Sequence, residues 1–245
     1  MPYRYAWAFV LALFPLIGLA FWPNYFGKFD SAPLAFHVHG ATAGLWLALL
    51  AWQAWSVHNG RSEAHRTTGL GVFVLLPTFV GGGLLVLQSM SQKYVGADPF
   101  YGLFGHRLGA IDTVAVIGVP LMVFLALKHR ADARLHGGFM LGTAFFLLSP
   151  ILGRLAPLLP PFAITGPETL YRFAWGVQAA NTVALLVPLL LAWRDRRTAA
   201  PMLTTAAFML AAIVGFEVSA ASPTWIEAFK AVGALPALPL FAGGT

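Results

Sequence analysis

The sequence contains no cysteine and has very few charged residues for its length. The absence of cysteine excludes disulfides, catalytic thiols, zinc ribbons and iron–sulfur clusters. Only 10% of the 245 residues are Asp, Glu, Lys or Arg, whereas a soluble domain contains about 25%. Water therefore cannot be the main solvent of this chain, and a bound metal ion would need His, carboxylate or Met ligands.

Familiar nucleotide and hydrolase motifs are also missing. There is no Walker loop, no G-x-S-x-G and no H-E-x-x-H, so nucleotide-driven transport and the common hydrolase classes have no support. The last long apolar segment has no lysine, which argues against a retinal-binding receptor. The net charge is +6, but the basic residues are scattered among short connections, and we therefore expect no nucleic-acid partner.

Apolar residues make up 58% of the chain, and a membrane-spanning helix needs about 20 of them in a row. We therefore predict an all-α fold, a polytopic bundle of about seven transmembrane helices that forms a single domain over residues 1–245. The predicted spans are 5–22, 34–56, 67–90, 107–127, 137–158, 171–193 and 200–220. The tail 221–245 is too short and too rich in Pro and Gly to span, and we expect it to lie at the membrane interface.

The connections divide the bundle into two faces. Side B carries the connections 57–66, 128–136 and 194–199, and side A is the opposite face. The positive-inside rule makes side B cytoplasmic, with the N-terminus inside and the C-terminus outside, as for a bacterial inner-membrane protein. Nine of the fifteen basic residues lie on side B: Arg4, Arg61, Arg66, Lys128, Arg130, Arg134, Arg194, Arg196 and Arg197.

Two connections on side B share an H-x6-H spacing at an offset of 71 residues. The first contains His58 and His65, and the second contains His129 and His136. Each is followed by a glycine-containing apolar segment, which indicates two copies of one helical hairpin within a four-helix core over 34–158. A chance similarity between two basic loops is the alternative. We interpret His58 and His129, which have polar neighbours, as loop residues.

The other histidines lie at the predicted ends of the core helices. His37 and His39 open the second span and His106 the fourth, all on side A, whereas His65 and His136 open the third and fifth spans on side B. Packing of the four helices predicts a group of histidines near each face. At about 1.5 Å per residue, the two levels lie roughly 20–25 Å apart.

In helix and histidine layout, this pattern resembles the ascorbate-reducible cytochrome b family, whose four core helices bind two hemes through histidine pairs. The resemblance covers about residues 34–158. It implies a membrane redox protein that passes electrons across or along the membrane through heme b. It also implies that His37 or His39 pairs with His106, and that His65 pairs with His136, as axial ligands.

A metal site on side A is the alternative interpretation. His37, His39 and His106, joined by the intramembrane acids Asp112 and Glu217, form a ligand set suited to Cu, Zn or Fe. Alternate helical residues point about 200° apart, so both His37 and His39 can face one metal only if the helix starts after His37. An open coordination position would make the chain a metalloenzyme for hydrolysis or oxidation.

The sixth predicted span contains a polar and aromatic stripe. Tyr171, Trp175 and Gln178 follow i, i+4, i+7 spacing and share one helix face. We predict that they line a pocket near side A for a quinone or a lipid-like substrate. An aromatic belt with polar contacts between helices is the alternative. If neither heme nor metal is bound, a transporter or a structural membrane protein remains.

Overall fold

The computed structural model describes residues 3–236, apart from the Thr198 side chain, and this part of the chain contains helices and no strands. Its α-helices are α1 Ala6–Phe21, α2 Leu34–His58, α3 Ser62–Gly69, α4 Val72–Val95, α5 Tyr101–Lys128, α6 Ala133–Gly142, α7 Phe145–Leu155, α8 Arg172–Arg194, α9 Ala199–Val218 and α10 Pro223–Gly233.

Six helical segments of the described chain are long and apolar enough to cross a membrane. They are Leu34–His58, Val72–Val95, Tyr101–Lys128, Ala133–Leu158, Pro167–Arg194 and Ala199–Ala221. The predicted first span is a shorter apolar helix of 16 residues, about 24 Å long at the usual rise. The all-α membrane bundle predicted from the sequence is therefore confirmed.

Two predicted spans are each divided into two helices. The span 67–90 corresponds to α3 and α4, separated at Leu70–Gly71, and the span 137–158 corresponds to α6 and α7, separated at Thr143–Ala144. The short helices α3 and α6 begin 71 residues apart, at Ser62 and Ala133. This offset equals that of the histidine repeat. Each hairpin therefore consists of a long helix, then a short helix that carries the second histidine, then a further helix.

Helix α5 begins six residues before the predicted start at 107. The sequence pattern placed the start there because Arg107 interrupts the apolar residues. Asp98 begins the helix earlier, since its Oδ1 accepts hydrogen bonds from the backbone amides of Phe100 and Tyr101, each at 2.9 Å. A carboxylate that satisfies the first free amides of a helix is a typical N-terminal cap. His106 consequently lies in the second turn of α5.

The long helices pack in a closed order. α1 contacts α2, α2 contacts α4, α4 contacts α5, α5 contacts α9, α9 contacts α8, α8 contacts α7, and α7 returns to α1. Because the helix is broken at Thr143–Ala144, the two halves of this span pack against different helices. α6 packs against α5 and α9, whereas α7 packs against α8 and α1.

The core of the bundle is apolar, and it contains a buried hydrogen bond between two helical segments. Trp46 on α2 has no exposed surface, and its Nε1 donates to Thr143 Oγ1 at 2.9 Å. This bond joins α2 to the α6–α7 break. Gly82 on α4 allows α2 to come close, because a Cβ there would lie 3.0 Å from the Cα of His39.

The described part of the predicted interfacial tail contains α10, which packs against α4 and α5. Phe229 of α10 is 1% exposed, and its carbonyl accepts a hydrogen bond from Ser91 Oγ at 2.5 Å. α10 therefore caps the side A end of the bundle. Residues 237–245 of the predicted tail lie outside the described residues.

Candidate functional site

His65 and His136 meet at side B, and we call them the inner His pair. Each is the fourth residue of its short helix, α3 or α6. Their ring centroids lie 6.2 Å apart, and the ring planes are inclined at 84°. Both side chains are half-buried. The repeat predicted that these two histidines belong together, and the structure places them side by side.

The local structure fixes the ring of His136. Its Nδ1 lies 2.9 Å from the carbonyl oxygen of Ala126. Because a carbonyl only accepts, Nδ1 carries a proton, and in the neutral ring Nε2 then has a free lone pair. Asp132 caps α6, since its Oδ1 accepts from the amides of Arg134 at 2.8 Å and Leu135 at 3.1 Å. These hydrogen bonds hold the pKa of Asp132 below its usual value.

His65 contacts Gln53 on α2. In the amide orientation that satisfies both of its ends, Gln53 Nε2 donates to His65 Nδ1 at 2.5 Å, and Oε1 accepts from the Gly69 amide at 3.1 Å. Neutral His65 then carries its proton on Nε2. Burial lowers the pKa of His65, and the charges of His136 and Arg66 act in the same direction. The two histidines of the pair therefore differ in tautomer.

On side A, His37 and His39 point in different directions. α2 begins at Leu34, three residues before His37, so the condition that would let both face one metal is not met. His37 Nδ1 forms a hydrogen bond with Tyr25 Oη at 2.8 Å. His39 stacks on Phe79 with a centroid distance of 5.7 Å, and its Nδ1 is buried without a hydrogen-bond partner.

His106 lies in a different environment. It is 8% exposed, and its ring meets Tyr94 edge-on at a centroid distance of 5.3 Å. Its backbone carbonyl accepts from Trp225 Nε1 at 2.8 Å, and its Nδ1 is buried without a partner. Within residues 3–236 no hydrogen bond or ring contact joins His106 to His37 or His39. The histidines predicted to pair on side A do not touch.

The predicted metal ligands do not converge. Among the residues that the structure describes, no group of three or more His, Asp or Glu side chains is arranged to hold a metal ion. Glu217 instead accepts from Arg107 Nη2 at 3.0 Å and from Gln178 Nε2 at 2.6 Å. Asp112 interacts electrostatically with Arg154 of α7.

Tyr171, Trp175 and Gln178 line one cavity of about 590 Å³ near side A, which we call the side A pocket. Residues of α5, including Leu103 and Arg107, form part of its lining. The cavity therefore lies between α5, α8 and the end of α9. The sequence predicted a pocket along this face of the sixth span, and these three side chains do border a common space.

A chain of polar side chains lies beside this pocket and crosses four helices. Ser149 on α7 donates to Asn181 Oδ1, and Asn181 Nδ2 donates to Gln178 Oε1 at 3.3 Å. Gln178 then contacts Glu217, which forms an ion pair with Arg107 at 3.0 Å. Asn181 is only 1% exposed. The sequence interpretation missed Arg107 because a basic residue near the end of a span looks like a topology signal.

Arg154 was missed for the same reason. Its Nη1 donates to the Pro150 carbonyl at 3.1 Å, and its guanidinium lies over the Phe21 ring at 4.3 Å. It also interacts electrostatically with Asp112 and His39, on α5 and α2. No motif distinguishes such an arginine from an interfacial anchor.

The other two histidines at side B make local contacts, and His58 is the last residue of α2 rather than the loop residue that the sequence predicted. His58 Nδ1 lies 2.7 Å from the Ala54 carbonyl oxygen, and the His129 ring stacks on Phe139 at 6.0 Å. The functional evidence is therefore concentrated in the inner His pair and the side A pocket. Comparison with protein-family models, with curated proteins and with solved structures found no match to this chain.

Proposed function

We propose that this chain is an integral membrane redox protein in which His65 and His136 are the axial ligands of a heme b. The spacing of the two rings supports the proposal. Two metal–imidazole bonds of about 2 Å place the nitrogens about 4 Å apart and the ring centroids about 6 Å apart. The observed centroid distance is 6.2 Å, which matches this spacing.

The hydrogen bonding of His136 already favours the tautomer that binds a metal through Nε2. The hydrogen bond from His136 Nδ1 to Ala126 leaves Nε2 unprotonated, and such a bond on the far side of a ligating imidazole is the usual means of orienting it. His65 must carry its proton on Nδ1 to ligate through Nε2. Gln53 can serve that tautomer after a half-turn of its amide, because its oxygen then accepts from Nδ1.

The chain's own role is to hold and orient the ligands. When bound, heme b supplies reversible one-electron transfer at its iron. The Asp132 cap fixes the first turn of α6, which carries His136, and the half-buried position of both rings limits access of water. Outer hydrogen bonds of this kind tune the basicity of the ligands.

The proposal concerns one heme, at side B. The side A histidines contribute no second pair to it, because His39 and His106 contact different neighbours. The excess of basic residues at side B supports a cytoplasmic position for the inner His pair, with the N-terminus inside and a bacterial inner membrane as the location.

The test is the absorption spectrum of protein produced with an adequate heme supply. We expect a Soret band that shifts on reduction with dithionite and about one heme per chain. His65→Ala and His136→Ala should each abolish the six-coordinate spectrum. His129→Ala is the matched control, since it removes a histidine of the same loop, and it should keep the heme.

The 84° angle between the rings gives a second readout. Perpendicular axial imidazoles produce a highly anisotropic low-spin ferric EPR signal, whereas parallel ones produce a rhombic signal. We expect the anisotropic form. Wild-type protein that binds no heme, or a full heme content in both ligand variants, would refute the proposal.

A further inference from the structure

The side A pocket has the size of a small-molecule site. Its volume is about 590 Å³, within the range of roughly 300–1,000 Å³ that is common for ligand sites. Leu103, Phe104 and Leu170 give it apolar walls. A ring system with an apolar substituent fits such a lining.

The pocket has no net formal charge. Of the residues that line it, Arg107 and Glu217 are charged, and they form an ion pair at 3.0 Å. Arg107 Nε also donates to the Phe216 carbonyl at 3.1 Å, and its guanidinium lies 3.9 Å from the centroid of the Phe216 ring. Because an anion would have to compete with Glu217 for this fixed arginine, the pocket favours an uncharged ligand.

Two side chains of the pocket, Tyr171 and Trp175, carry donors that no group in the described part of the protein uses. Both carboxylate oxygens of Glu217 already accept hydrogen bonds, from Arg107 and Gln178. Within the described chain, no hydrogen bond involves Tyr171 Oη or Trp175 Nε1. A ligand that pairs with these groups needs acceptors, and ring carbonyls are acceptors without charge.

The mouth of the pocket lies where a lipid-soluble molecule can enter. Tyr171 and Trp175 are 50% and 55% exposed, and their rings meet edge-on at a centroid distance of 5.0 Å. They stand at the side A end of the membrane-crossing segment Pro167–Arg194. Aromatic side chains at this depth lie in the membrane interface, where one part of a ligand is in lipid and another near water.

We infer that the side A pocket binds the ring of a lipid-soluble quinone. The carbonyls of the ring would accept from Tyr171 and Trp175 at the mouth, and its apolar substituent would lie along Leu103 and Phe104. The choice of a redox-active ligand rests on the proposed redox function. The choice of a neutral, planar molecule with two acceptors rests on the pocket itself.

The experiment uses the full chain in lipid nanodiscs, labelled by light with an azido-ubiquinone and mapped by mass spectrometry. We expect saturable labelling of peptides that contain Leu103–Arg107 or Tyr171–Gln178, with decylubiquinone as the competitor. Tyr171→Phe and Trp175→Ala should each weaken competition, Trp175→Ala by about tenfold. Trp193→Ala is the matched control, because Trp193 is a 70% exposed residue at the other end of α8.

Three outcomes overturn the inference: labelling that does not saturate, equal competition in all variants, or displacement by phosphatidylglycerol but not by decylubiquinone, which would identify a lipid-headgroup site. The same titration in His136→Ala separates the two proposals. Saturable labelling of that variant supports the pocket whether or not heme is bound. Wild-type protein without heme but with saturable labelling would refute the heme proposal alone.

Discussion

His65 and His136 lie at equivalent positions of two helical hairpins, and their rings approach to a centroid distance of 6.2 Å. The two residues are 71 positions apart, as are the starts of the short helices that carry them. The repeat in the sequence and the contact in the fold therefore concern the same residues. A repeat unit that contributes one ligand per copy builds a two-ligand site between the copies.

Gln53 should control the electronic character of His65 as a heme ligand. Gln53→Glu places a carboxylate beside Nδ1, which favours the Nδ1-protonated tautomer and makes the ligand more basic. We expect the heme reduction potential to fall by about 60 mV, the equivalent of a tenfold change in a one-electron equilibrium. Potentiometric titration measures it, with the exposed Gln92→Glu on α4 as control. An unchanged potential would remove Gln53 from this role.

Replacement of the adjacent glycines Gly137 and Gly138 of α6 by alanine should have different effects on stability. A Cβ at Gly138 would lie 2.5 Å from Pro201 Cγ and 2.6 Å from Tyr3 Oη, whereas at Gly137 the nearest atom is Tyr3 Cδ2 at 3.5 Å. Gly138→Ala should therefore lower the free energy of unfolding by about 1–3 kcal/mol. Gly137→Ala gains helix propensity without a clash and should be neutral or stabilising. Unfolding in mixed micelles measures both, and equal effects would contradict the packing.

The buried amide of Asn181 should matter more than the hydroxyl next to it. Asn181 links Ser149 to Gln178, so Asn181→Ala leaves two polar groups without a partner, and we expect a loss of about 1 kcal/mol. Thr182→Ala removes only a bond from an exposed hydroxyl to the Gln178 carbonyl. It should change stability by a few tenths of a kcal/mol at most. Comparable losses in the two variants would mean that the network does not stabilise the bundle.

The sequence was sufficient for features that depend on local pattern. Apolar length predicted the helices, and i, i+4, i+7 spacing predicted that Tyr171, Trp175 and Gln178 share a pocket. It was not sufficient where the position of a side chain depends on the end of a helix or on a residue that is distant in the sequence. The position of Asp98 fixes the start of α5, and the start of α2 at Leu34 separates the two histidines of the H-x-H pattern.

The inner side of the bundle should also respond to acid through the cap of α6. Backbone hydrogen bonds from Leu135 and Arg134 lower the pKa of the exposed Asp132 carboxyl. A carboxyl with a lowered pKa in the folded state stabilises it above the ordinary Asp value near 4 and loses that contribution as the pH falls through the lowered pKa.

Hydrogen exchange at the amides of Arg134 and Leu135, corrected for the intrinsic rate, reports this cap directly. In the wild type, protection should hold from neutral pH to about 4 and decrease at lower pH. Asp132→Asn keeps an acceptor that does not titrate, so its protection should be independent of pH, while Asp132→Ala should lack it throughout. If all three proteins lose protection together, the side chain of Asp132 does not hold the turn that carries His136.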